Sequence, residues 1–264
     1  MQKATLLFTI ALSITVQLHS QAGSWKQIGQ AGSWVNTMLG IGTGGNLYTV
    51  ESSGTLYQTV ASTGTWTQIG KPEFANTALI FSSTSKLYTI EKNGTLYEVN
   101  SGNGAWKTVG KEGDWANTIA GVVMNDLLYT VENSGVLYRT NLATGIWSAV
   151  GKPEFSNTAL LFAGKSKLYS IETSGSLYEI DPSNGTWKSV GKSGDYANTM
   201  FGVTIGDNLY TIESSGILYV TDLNNGTWRQ IGKAEFGNTA CMMAAGGKIY
   251  TIEKSGSLYE IQVK

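Results

Sequence analysis

Six glutamates, Glu51, Glu91, Glu132, Glu172, Glu213 and Glu253, return along the chain at intervals of 40 or 41 residues, and a glycine follows each three positions later. Six Asn-Thr pairs keep the same interval, at Asn36, Asn76, Asn117, Asn157, Asn198 and Asn238. Two positions before each asparagine stands an aromatic residue: Trp34, Phe74, Trp115, Phe155, Tyr196 and Phe236. A carboxylate accepts hydrogen bonds, an amide both donates and accepts, and an aromatic ring offers an apolar face. Converging, the three would grip the paired hydroxyls and the C–H face of a sugar. Each also has a structural use. An Asn can hold a turn by bonding its own backbone, a Glu can pin a hairpin through turn N–H groups, and a ring can plug a crevice. Duplication alone also keeps repeated residues alike.

Chemistry of other kinds lacks its parts. The only histidine, His19, lies in an N-terminal stretch expected to be removed, which takes away the commonest general base and any His-dependent triad or zinc site. Carboxylates recur in every repeat, whereas a catalytic pair should be unique. The single cysteine, Cys241, stands where sister repeats have Leu79 and Leu160, and reads as a buried thiol. The chain is therefore not expected to be an enzyme, and nothing in it calls for a cofactor or a metal. Three Asn-Gly-Thr sequons, at Asn93, Asn184 and Asn225, lie in turn sequences, where a turn role suffices.

Residues 1–22 have the layout of a secretory signal peptide: Lys3, an apolar run from Ala4 to Val16, then small residues at Ser20 and Ala22. The run is short for a membrane span. A secreted protein without membrane insertion is expected. No basic tract supports binding to nucleic acid. One cysteine excludes an internal disulfide framework, so residues 23–264 must hold together by core burial, as one all-β domain.

The elements that must position the recurring residues are short. After each Asn-Thr comes an apolar run such as ALIF at 78–81, then LYTIE-like, LYEV-like and GTW-like segments. These are rich in aromatic and β-branched residues and punctuated by Gly, Ser and Asn, which reads as four strands. The Glu-x-x-Gly link between the second and third fits a hairpin turn whose glycine takes the left-handed conformation. Four antiparallel strands in about forty residues, repeated, make the pattern of a β-propeller blade. Six blades are predicted.

The chain opens on GSWKQIG, a fourth-strand pattern with no strands before it, and ends after a third strand. Residues 24–29 should therefore complete the last blade and close the ring as a monomer. A longer period is also present. Repeats one, three and five carry GSW, GDW or GDY before Asn-Thr, and repeats two, four and six carry PEF, PEF and AEF. The domain thus reads as an 81-residue, two-blade module present three times.

With strands named A to D from the axis outward, the A→B and C→D loops vary among blades, while the D→A and B→C loops keep their aromatic, Asn, Glu and Gly. Loops drift unless constrained, so one face of the disc is expected to carry function. Two further series, the strand-D tryptophans Trp25, Trp66, Trp106, Trp147, Trp187 and Trp228 and the Leu-Tyr pairs, are expected in interblade packing and in the core.

The W-x-x-I/V-G … N-T … L-Y-T-I/V-E-x-S-G-x-L-Y units resemble the blades of β-propeller lectins of the tectonin and tachylectin kind, over essentially all of residues 23–264. The resemblance implies a secreted, multivalent carbohydrate-binding protein whose partners are glycans or glycoconjugates on cell surfaces, with pockets between blades. The alternating PEF and GDW motifs and the strict Asn-Thr depart from that pattern, so the site residues rest on the loop comparison. The alternative is a propeller scaffold for one protein partner, for which blade-to-blade equality of loops would serve no purpose.

Overall fold

A computed structural model describes residues 22–83 and 85–263. The expected leader, apart from Ala22, lies outside the described residues. Six four-stranded antiparallel sheets form the six blades. Strand β1 (Trp25–Ile28) precedes blade 1, which is β2 (Thr37–Thr43), β3 (Asn46–Glu51), β4 (Leu56–Val60) and β5 (Trp66–Ile69). Blade 2 is β6 (Thr77–Ser83), β7 (Lys86–Glu91), β8 (Leu96–Asn100) and β9 (Trp106–Val109). Blade 3 is β10 (Thr118–Met124), β11 (Leu127–Glu132), β12 (Leu137–Asn141) and β13 (Trp147–Val150). Blade 4 is β14 (Thr158–Ala163), β15 (Leu168–Glu172), β16 (Leu177–Ile180) and β17 (Trp187–Val190). Blade 5 is β18 (Thr199–Ile205), β19 (Asn208–Glu213), β20 (Leu218–Asp222) and β21 (Trp228–Ile231). Blade 6 is β22 (Thr239–Ala245), β23 (Lys248–Glu253) and β24 (Leu258–Ile261), completed by β1.

The closure is a regular ladder, Trp25 opposite Ile261 through Ile28 opposite Leu258. It is extended by Gly23 N–H to Gln262 O at 2.7 Å and Gln262 N–H to Ser24 O at 2.9 Å. Closing a ring this way leaves no long unpaired edge at the seam.

Strand alternation explains the core. In strand B the Leu-Tyr pairs, Leu47 and Tyr48 among them, are buried on both sides because a neighbouring blade covers each face. In strand C the leucine is buried, but the following tyrosine is only half-buried. The six first strands line the axis, where a channel of about 270 Å³ is walled by Ile41, Ile80, Val122, Leu161, Val203 and Met242 with their neighbours.

The two-blade period has a packing cause. Phe81, Phe162 and Met243 of the even blades press onto Gly121, Gly202 and Gly40 of the following odd blades; a Cβ added at those glycines would meet the three side chains at 2.9, 2.7 and 2.7 Å. Large residues on even blades fill holes on odd ones, three times around the ring. Cys241, on the same layer, is half-buried instead of fully buried as expected, and desolvation pushes its thiol up to about 12, which keeps it un-ionised at neutral pH. Among the described residues no helix is long and apolar enough to cross a membrane.

Candidate functional site

The repeated hairpin is held by main-chain bonds. In blade 1, Gly54 N–H donates to Glu51 O at 2.8 Å and Glu51 N–H to Thr55 O at 2.9 Å, with Gly54 at φ 82°. The glycine is required twice over. Its φ suits no other residue well, and a Cβ there would lie 2.7 Å from Ala75 N in the next D→A loop. Its carbonyl accepts from the N–H of the next blade's aromatic: Phe74 to Gly54 at 2.9 Å, Trp115 to Gly94 at 3.0 Å, Trp34 to Gly256 at 3.0 Å, and likewise around the ring. Each B→C hairpin is stapled to the following D→A loop, which is one reason these loops do not drift.

The glutamate side chains serve the same rim. Thr37, Thr77, Thr158 and Thr239 hydroxyls donate to Glu51, Glu91, Glu172 and Glu253 at 2.8, 2.8, 2.9 and 3.4 Å. Every Thr-Glu pair faces across the A–B ladder just before a β-bulge. In blades 3 and 5 the equivalent Thr118 and Thr199 hydroxyls are buried without a protein partner. Burial pushes the carboxyls of Glu51, Glu172, Glu213 and Glu253 up, and the threonine bonds at Glu51, Glu172 and Glu253 oppose it. Glu51 and Glu172 are buried; Glu91, Glu132, Glu213 and Glu253 keep partial access to solvent.

The aromatic position is a plug. Trp34, Phe74, Trp115, Phe155, Tyr196 and Phe236 are only 2–5 % exposed. Phe74 sits among Tyr48, Val50, Leu56, Ile69, Leu87 and Val99 of blades 1 and 2. A stacking platform for a ligand at this position is therefore corrected: crevice packing seals the ring faces, and Phe74 and Phe236 reach the pockets below only as floor.

The exposed aromatic faces belong to the strand-D tryptophans, and their expected place between blades is corrected too. They are 42–49 % exposed. Each stands edge to face with the strand-C tyrosine of its own blade, Tyr259, Tyr57, Tyr97, Tyr138, Tyr178 or Tyr219, at centroid distances of 4.4–5.2 Å. Five of the six indoles donate to a carboxylate: Trp25 to Glu235 at 3.2 Å, Trp106 to Glu73 at 2.9 Å, Trp147 to Asp114 at 3.0 Å, Trp187 to Glu154 at 2.9 Å and Trp228 to Asp195 at 3.1 Å. The acid is the middle residue of PEF, AEF, GDW and GDY; blade 1 has Ser33 there. The legible signal was an acid 33 residues before a tryptophan, four times along the chain and once more across the ring closure.

Together these walls enclose space. In blade 2, Glu73, Phe74, Asn76, Glu91, Lys92, Asn93, Tyr97 and Trp106 line a cavity of about 510 Å³. In blade 6, the equivalent residues Glu235, Phe236, Asn238, Glu253, Lys254, Ser255, Tyr259 and Trp25, with Thr251, line one of about 520 Å³. All six repeated asparagines are exposed. Each holds the rim with its main-chain carbonyl, as Asn36 O accepting from Ser52 N–H at 2.9 Å shows. The side-chain amides of Asn36, Asn76, Asn117, Asn157, Asn198 and Asn238 take no part in the hydrogen bonds among the described residues, although any residue could supply that carbonyl. Among the described residues no cluster of three or more His, Cys, Asp or Glu is placed to hold a metal.

No family model matches the chain, and no curated protein matches it. Many solved structures do. A protein of unknown function from Bacteroides thetaiotaomicron has TM-score 0.64 at 13 % identity, covering 92 % of this chain and 76 % of its own. YCF48 bound to D1 peptide has TM-score 0.60 at 11 % identity, covering 94 % and 99 %. The Pan2 WD40 domain of Neurospora crassa has TM-score 0.60 at 11 % identity, covering 92 % and 98 %. At these identities the likeness concerns the fold alone, which is an all-β, six-bladed β-propeller.

Proposed function

We propose that the protein is a secreted, multivalent carbohydrate-binding propeller, with its sites on the face formed by the D→A and B→C loops. The observation that carries this is the exposed Asn amide, repeated six times with no structural task, beside a half-exposed Trp-Tyr pair. Where Glu73 and Glu91 stand nearby, the pocket offers free acceptors, donors and an apolar face within one cavity of ligand size. Glu73 engages the indole with one oxygen and keeps the other free; Glu91 does the same with Thr77. A single shallow site at millimolar affinity is worth about 4 kcal/mol. Several sites on one disc face raise avidity on a glycan-coated surface by ~10²–10⁴, a physical reason to repeat one site. Secretion belongs to this reading and rests on the sequence of residues 1–22.

A protein-binding scaffold is the second reading, favoured by one fold neighbour being a complex with a peptide. A glycan array separates the two. Sugar-specific signal on the array, abolished by Trp25→Ala, Trp106→Ala and Trp187→Ala together, supports the lectin. An empty array, with a tight one-to-one protein partner, supports the scaffold.

A further inference from the structure

We infer that ligand is taken up at the even-numbered blades only, and that the odd-numbered blades are closed; this rests on the sugar-binding reading and deepens it. The pockets of blades 2 and 6 hold about 510 and 520 Å³, whereas the equivalent space in blade 5, between Asp195, Tyr196, Tyr219 and Trp228, holds about 10 Å³. The D→A loops explain the difference. Those entering odd blades are one residue longer and turn on Gly32, Gly113 and Gly194 at φ 83°, 84° and 89°. Their plugs are longer than phenylalanine. Trp34 and Trp115 reach back to Gly29 and Gly110, where an added Cβ would lie 2.6 Å from either ring. The Tyr196 hydroxyl bonds Thr221 at 3.1 Å. Loops entering even blades end on Phe74, Phe155 and Phe236, which stop short.

The polar walls differ in the same sense. Even blades place Glu73, Glu154 and Glu235 against the indole, and odd blades have the shorter Asp114 and Asp195, or Ser33. In blades 2 and 6 a lysine, Lys92 or Lys254, also lines the cavity, where odd blades carry Ser52, Asn133 and Ser214. Two carboxylates and one ammonium around an aromatic wall define the ligand. A cationic head group meets the lysine, and an anionic one meets two acids. A hydroxyl, donor and acceptor at once, suits both. The even blades are thus shaped for a neutral polyhydroxylated ring. Blade 4 has Thr173 in place of the lysine but shares the short loop, Phe155 and the Glu154–Trp187 bond, and on those features belongs with them.

Calorimetry and native mass spectrometry with the methyl glycosides of glucose, galactose and mannose test this on the whole protein. Saturation near three is expected. Glu73→Ala with Glu154→Ala and Glu235→Ala, all exposed positions, should weaken binding at least about tenfold while the thermal melt stays in place; Asp195→Ala should bind as the parent does. A stoichiometry of six, or equal loss on Asp195→Ala, overturns the even-blade inference and leaves the sugar reading standing. Tighter binding of glucosamine or glucuronic acid than of methyl glucoside overturns the neutral-ligand part. No binding of any glycoside, with an empty glycan array, sinks both the inference and the reading beneath it.

Discussion

Phe74→Ala distinguishes a plug from a platform. The ring is 3 % exposed and belongs to a buried apolar cluster drawn from two blades. Burying a side chain of about 150–200 Å² at ~25 cal/mol per Å² is worth ~4–5 kcal/mol, and truncations of this kind cost about 3–5 kcal/mol once the cavity is counted. With a urea slope near ~3 kcal/mol per molar, the unfolding midpoint should fall by about 1–1.5 M. The Phe74 N–H bond to Gly54 O survives the substitution, so the loss belongs to the ring. Glu73→Gln, next door and exposed, serves as the paired control and should stay within about 0.5 kcal/mol of the parent, because only its indole bond changes character. The assay is urea denaturation followed by tryptophan fluorescence and circular dichroism. A midpoint shift below about 0.3 M for Phe74→Ala, ~1 kcal/mol on that slope, would refute the packing argument, and with it the assignment of the ligand face to the strand-D tryptophans.

Gly121→Ala forces a Cβ to 2.9 Å from the Phe81 ring and 3.2 Å from Tyr129 O, so it should destabilise by about 1–3 kcal/mol. Gly40→Ala meets the side-chain ends of Met243 at 2.7 Å and Cys241 at 2.9 Å, with no backbone atom among them, and should cost less; a larger melting loss at Gly40 would contradict the hole-filling account. Glu51, Glu172, Glu213 and Glu253 have carboxyls raised above 4.5, so the stability they add as neutral acids is full below that value and is lost as pH rises through their folded pKa values. Glu98 and Glu260 are lowered, desolvation being outweighed by lysine contacts, so theirs is present above 4.5 and is lost as pH falls. The melting temperature should therefore peak in mildly acidic solution, and Glu51→Gln with Glu172→Gln should raise it at pH 7 (a profile unchanged by both would exclude these groups). Deleting residues 22–29 strips β24 of its partner and should replace one cooperative transition by a broad one in calorimetry, whereas an unaltered melt would show that the closing strand is dispensable.

The ring was legible because each signal is local or periodic. Strand alternation, Glu-x-x-Gly turns and an interval of 40 or 41 residues fix a blade, and a spare GSWKQIG at one end with a missing fourth strand at the other fixes the closure. Those features depend on backbone geometry and on the alternation of faces, both of which a sequence writes directly. The exposure of a given aromatic is not written that way. Trp34 and Trp106 are the same residue type in equally regular series, yet one is sealed and the other half bare. The difference lies in where each ring points once two blades are laid side by side. Trp34 leads out of a loop that crosses the crevice, whereas Trp106 lies on the outermost strand, where no further strand covers it. Repetition marked both as constrained without saying by what.

The stapled loops resolve the rest of that ambiguity. The hairpin glycine and its carbonyl are explained by holding one blade to the next, and the threonine-bound glutamate by tying strands A and B within its blade, so their recurrence follows from the ring whatever the protein binds. The asparagine differs. Its carbonyl belongs to the staple, but its amide does not, and a turn residue kept only for a main-chain atom would be free to vary among six copies made by duplication. On the binding reading, the six exposed amides are the atoms such a constraint would act on. The indole-bound acids extend the same reasoning: Ser33 shows that blade 1 closes into the ring without one, so Glu73, Asp114, Glu154, Asp195 and Glu235 are not demanded by blade geometry. On the even-blade reading, the acids that matter among these are Glu73, Glu154 and Glu235, each beside an exposed indole at the end of a short loop.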